Sequence, residues 1–94
     1  MNYQNNRSGN GGFITLSNET EEIGRLTYTI FPEDEKLVVS FVLVHPKFEG
    51  KGMGKYLVDE AIKFSKENNW KIHPHCSYAA SVIKRMPNAK EILY

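Results

Sequence analysis

Hydrophobic positions repeat with two different periods along the chain, and the change between them falls near Gly52. Phe13-Ile14-Thr15-Leu16 predicts a short strand, stopped by the turn-forming pair Ser17-Asn18. From Ile23 to Phe31 the pattern alternates, with Ile23, Arg25, Thr27, Thr29 and Phe31 on one face and Leu26, Tyr28 and Ile30 on the other. Its β-branched and aromatic content favours a second strand. Pro32-Glu33-Asp34-Glu35 is a polar turn opened by proline. A third strand follows from Lys36 to about Val44. Its nearly continuous apolar run, Leu37 to Leu43, is the pattern of a strand covered on both faces. His45-Pro46 stops it, because proline cannot donate to a sheet ladder.

Beyond Gly52 the period lengthens to 3.6. Met53, Leu57, Ala61 and Phe64 form an apolar stripe widened by Val58 and Ile62, while Lys55, Asp59, Lys63 and Glu67 form a solvated edge. Asn68-Asn69 closes this helix. Trp70 to His73 predicts one more short strand, Pro74 breaks it, and Ser77 to Arg85 predicts a second, shorter helix before Pro87. The apolar tail Glu91-Ile92-Leu93-Tyr94 is expected to dock as a strand or extended segment. Three strands, a Gly-rich turn, a helix, a strand and a helix make an antiparallel meander running into a βαβ unit. The expected fold class is therefore α/β (α+β mixed): a mixed, mostly antiparallel sheet with helices packed on it.

At 94 residues the chain is long enough for one small domain with a modest core. Residues 1–11, rich in Asn and Gly, are expected to be a flexible lead, and residues 12–94 the folded unit. A formal net charge of +1, with no clustered basic surplus, argues against nucleic-acid binding. The single cysteine, Cys76, cannot form an internal disulfide, so a cytoplasmic setting is the simpler expectation. No apolar run approaches the ~20 residues that cross a bilayer, and no signal-peptide pattern opens the chain.

The densest chemical signal is Lys47-Phe48-Glu49-Gly50-Lys51-Gly52-Met53-Gly54-Lys55, between the apolar strand and the amphipathic helix. Alternate glycines let the backbone turn sharply and admit a ligand without Cβ interference. Amides that open a helix lack internal partners and carry the positive end of its dipole, so this junction suits a phosphate. A Walker A loop fails, because Glu49 and Tyr56 stand where it needs Gly and Ser/Thr. A dinucleotide fingerprint fails on the spacing Gly-x-Gly-x-Gly.

The loop Glu49-Gly50-Lys51-Gly52-Met53-Gly54, preceded by Val44-His45-Pro46 and followed by Leu57, resembles the Gln/Arg-x-x-Gly-x-Gly/Ala loop of the GNAT superfamily of N-acetyltransferases. The resemblance runs from about Leu37 to Arg85. Pro74-His75-Cys76-Ser77-Tyr78 is similar to the Pro-x-Cys-x-Tyr junction of the minimal single-domain members. It implies a small GNAT-like fold that uses acetyl-CoA. Amides of Glu49, Gly50, Lys51, Gly52, Met53, Gly54 and Lys55 would cradle the coenzyme A pyrophosphate, and the Leu43 and Val44 backbone would pair with the pantetheine arm. The implied activity is acetyl transfer to an amine on a protein or small molecule. The alternative is a coenzyme A-binding sensor without turnover. The acceptor and the oligomeric state stay open. Three positions depart from the pattern: Glu49 replaces Gln or Arg, Phe41 replaces a histidine, and Val82 replaces a tyrosine.

Two residues are candidates for the chemistry. Cys76, just before a helix start, would be a covalent nucleophile or a small hydrophobe lining the thioester channel. Tyr78 would protonate the departing thiolate or simply close the pocket. His45 offers a phosphate contact or a base, against an ordinary surface histidine. Lys84 and Arg85 offer phosphate contacts, against a charged helix end. No metal site is expected, because Pro74 and alternating side-chain directions keep His73, His75 and Cys76 from converging.

Overall fold

A computed structural model describes all residues, 1–94. Five strands form one sheet in the order β1-β2-β3-β4-β5: β1 (Asn2–Ser8), β2 (Gly11–Ser17), β3 (Glu22–Phe31), β4 (Lys36–Val44) and β5 (Lys71–Pro74). The first four are antiparallel in sequence order, and β5 runs parallel to β4. The crossover between them is α1 (Met53–Glu67), followed after β5 by α2 (Ser77–Lys84) and the single turn α3 (Ala89–Ile92). Short 3₁₀ turns occupy Pro32–Asp34 and Pro46–Phe48. The mixed sheet and the βαβ unit are those the periodicity predicts.

The core lies on one side of the sheet. Ile14 and Leu16 of β2, Leu26, Tyr28 and Ile30 of β3, and Leu37 and Val39 of β4 pack against Leu57, Val58, Ala61 and Ile62 of α1 and Ala79 and Ile83 of α2. Ser65, a polar residue inside the apolar stripe, is also buried, and its hydroxyl donates to the Ala61 carbonyl at 2.9 Å. Back-bonding to the preceding turn is how a helical serine enters a core at low cost.

Three expectations need correction. Within the lead 1–11, expected to be flexible, residues 2–8 form strand β1, paired over its length with β2. It carries little apolar signal because it is an edge strand with exposed side chains. The Tyr28 hydroxyl donates to Asn5 Oδ1 at 2.5 Å, and the Arg7 guanidinium sits 5.5 Å from the Trp70 ring centroid, pinning β1 over the core. Secondly, β4 is covered on one face only, and Phe41 and Leu43 remain 54% and 47% exposed. An apolar run records hydrophobicity, not the presence of a second layer. Thirdly, the tail begins as a helical turn. Only Leu93 is extended, bridging Ile72 in parallel, with the Tyr94 amide donating to the Ile72 carbonyl.

Candidate functional site

The site forms where β4 parts from β5. In β4, Ser40 is an extra residue: Thr27 pairs with Phe41, and Tyr28 pairs with Val39. Such a bulge bends the strand and raises its local twist. On the other edge, the last pair of β4 with β5 is Val39 with Pro74. The Val39 carbonyl then accepts both the His75 amide (3.0 Å) and the Cys76 amide (3.1 Å), which turns the chain off the sheet into α2. From Ser40 to Val44, the β5-facing edge of β4 therefore has no strand beside it.

The Gly-rich turn lies beyond this open edge. Gly50 and Gly52 adopt φ of 78° and 73°, a left-handed backbone that glycine reaches without Cβ strain. Gly52 is the N-cap of α1, and no side chain caps the helix. The first-turn amides thus keep the unpaired donors and positive dipole end that suit an anion. Of the loop lysines, Lys47 pairs with Glu21 at 2.7 Å and Lys55 with Asp59 at 3.8 Å. Lys51 has no carboxylate within 4.0 Å and is the cation left for a ligand.

A cavity of about 290 Å³ joins the two halves, lined by Val42, Leu43 and Val44 of β4, Phe48, Glu49, Gly50, Gly52, Met53 and Gly54 of the loop, and Tyr78 of α2. Most of the residues expected to bind coenzyme are thus brought together. Lys51 and Lys55 lie outside this lining, and Lys55 instead borders a larger cleft of about 870 Å³ between α1, α2 and α3. That cleft shares Gly52 and Tyr78 with the smaller cavity and is edged by Lys66, Arg85 and Asn88. Val42 and Phe48 were missed. The alternation Val42-x-Val44 placed Val42 on the same strand face, whereas Phe48 enters through a turn whose direction only the fold sets.

Cys76 is the N-cap of α2, half-buried, and packs against the core outside both cavity linings. Tyr78 borders both cavities. His45 faces Glu22, with Nε2 3.4 Å from the carboxylate. His73 pairs in register with Val38 on the open side of the sheet, and His75 is exposed. Lys84 borders neither cavity, unlike Arg85. Phe41, where a base was missing by resemblance, is exposed beside the bulge.

A model of the GCN5-related N-acetyl-transferase family matches residues 12–92. A sequence search of curated proteins gives no match. Among solved structures, a GCN5-like protein from Staphylococcus aureus, determined by NMR, is similar with a TM-score of 0.67 at 22% identity, over 97% of this chain and 87% of that one. The ribosomal-protein-S18-alanine N-acetyltransferase from Escherichia coli gives 0.69 at 10% identity, over 83% of this chain and 52% of that one. Nourseothricin acetyltransferase gives 0.64 at 17% identity, over 82% of this chain and 49% of that one. The chain spans about half the length of the last two. At these identities the structures speak for the fold, and the family match covers nearly all of the chain beyond β1, so the chain belongs to the GCN5-related N-acetyltransferase family.

Proposed function

We propose that this domain binds acetyl-CoA and transfers its acetyl group to an amine. The supporting observation is the meeting, in one cavity, of an uncapped helix start and a strand edge without a neighbour. These are two separate demands of one ligand. The amides of Gly50 to Lys55, with Lys51, hold a diphosphate, and the free β4 edge at Leu43 and Val44 hydrogen-bonds an amide-bearing pantetheine arm as an added strand would. Glu49 is exposed and turns an acidic side chain to the same rim, which lowers affinity without removing the amide donors.

In the reaction, a neutral amine attacks the thioester carbonyl to form the amide carbon–nitrogen bond, the carbon–sulfur bond breaks, and the proton lost by the nitrogen ends on the departing sulfur as the free thiol. The chain orients the thioester by fixing the diphosphate and arm. Cys76, whose amide donates to the Val39 carbonyl where β4 and β5 part, packs against the core outside both cavities and in this reading is not acylated. The test is incubation with radiolabelled acetyl-CoA and a panel of amines, peptides and polyamines. Label on an acceptor is the expected result, and label on neither acceptor nor protein refutes transfer.

A second reading is a coenzyme A-binding module without turnover. It is favoured by the open sheet face, where exposed Phe41 and Leu43 provide no wall around an acceptor. Tight coenzyme A binding with no turnover on any acceptor, unchanged by Cys76→Ala, would select it.

A further inference from the structure

Resting on the coenzyme A reading above, we infer that Tyr78 is a positioning residue for the donor's diphosphate rather than the acid that protonates the departing thiolate. The placement of its ring decides this. A Cβ built on Gly54 would lie 2.6 Å from the Tyr78 hydroxyl and 2.7 Å from Cε2 and Cζ, so the phenol rests directly on the Gly54 backbone. Gly54 is buried in the first turn of α1, among the amides that offer donors to a phosphate. Gly54 is therefore a glycine because Tyr78 occupies the space of its side chain. The hydroxyl is thus anchored at the helix start.

The thioester end lies elsewhere. An arm following the free edge from Val44 back to Ser40 covers about 13 Å at a strand's rise per residue. An acid must come within about 3 Å of the sulfur it protonates. A phenol seated on Gly54 is at the wrong end of that track.

Two further observations agree. Tyr78 borders both the 290 Å³ cavity and the 870 Å³ cleft, so it stands where a long donor passes from one to the other. Its hydroxyl also forms no hydrogen bond within the protein, unlike that of Tyr28, which is tied to Asn5. A phenol donating to a phosphate oxygen makes a charge-assisted hydrogen bond, stronger than a neutral one.

The experiment compares coenzyme A with pantetheine, which carries the arm but no phosphate, on the wild-type chain and Tyr78→Phe. Calorimetry reads coenzyme A, and NMR titration reads the weaker pantetheine. Tyr78→Phe should weaken coenzyme A about tenfold and leave pantetheine unchanged. Equal losses for the two ligands, or an unchanged affinity for coenzyme A, overturn the inference while leaving the coenzyme reading intact. Failure of the wild-type chain to bind coenzyme A overturns both. Gly54→Ala supplies a second check, since its methyl group displaces the hydroxyl. The double variant should bind coenzyme A no more weakly than Gly54→Ala alone, and additive losses would contradict the shared role.

Discussion

Replacing Gly52 separates the cost of folding the loop from the cost of filling it. Gly52 holds φ 73° and ψ 17°, and an added Cβ there meets no protein atom within 4 Å. Alanine therefore brings backbone strain without a clash. A left-handed L-residue costs about 1–2 kcal/mol, and alanine recovers part of this by restricting the unfolded chain, leaving about 1 kcal/mol of destabilisation. For a domain of this size that lowers the melting temperature by roughly 4–8 °C. Asparagine tolerates the left-handed region better, so Gly52→Asn should restore most of the melting temperature. Both side chains nevertheless fill open space bordering the two cavities, and each should weaken coenzyme A at least tenfold, about 1.4 kcal/mol. Thermal melts by circular dichroism and calorimetric titration with coenzyme A read the two effects independently. If Gly52→Asn restores affinity along with stability, the ligand does not approach this backbone, and the assignment of the loop fails.

Gly24→Ala should destabilise the fold by about 1–3 kcal/mol in a denaturant titration, because its Cβ would lie 2.6 Å from the Leu43 carbonyl oxygen and 3.1 Å from Leu57 Cδ1. Wild-type stability in that variant would mean that β3 and β4 are less tightly packed than described. Tyr28→Phe removes the hydrogen bond to Asn5 and should cost about 1 kcal/mol near neutral pH. Burial pushes the Tyr28 phenol above its ordinary value, against the opposing pull of the Arg7 guanidinium. Above the ordinary tyrosine value of about 10 the unfolded chain gives up this proton while the folded chain keeps it. The contribution is therefore complete below that pH and is lost as pH rises through the folded value. Urea titrations of the two proteins should show their stability gap narrowing above about pH 10, and a widening gap contradicts the burial argument. Intact-mass measurement after incubation with acetyl-CoA should find Cys76 unmodified, since it packs against the core outside both cavities. One added acetyl mass on Cys76 would establish the covalent route instead.

Local chemistry made much of this protein legible from its residues. The shift from alternating to 3.6-residue periodicity placed β4, the turn and α1, because backbone geometry alone sets those periods. The glycines marked where the chain must bend and where a ligand can approach, and unpaired amides at a helix start are anion-binding in any fold. Tertiary structure decided what depends on distant partners. The polar segment Asn2–Ser8 becomes a strand only because β2 lies alongside to satisfy its backbone. The apolar run of β4 looked the same whether one face or two were covered, and only the absence of a second layer left Phe41 and Leu43 exposed. The extra residue at Ser40, which helps leave the edge of β4 free, arises from register with β3. Tyr78 could be named from sequence, but its end of the cavity was set by its packing on Gly54. Periodicity and turn chemistry are properties of neighbouring residues, whereas pairing, coverage and convergence arise between residues that meet only when the chain has folded.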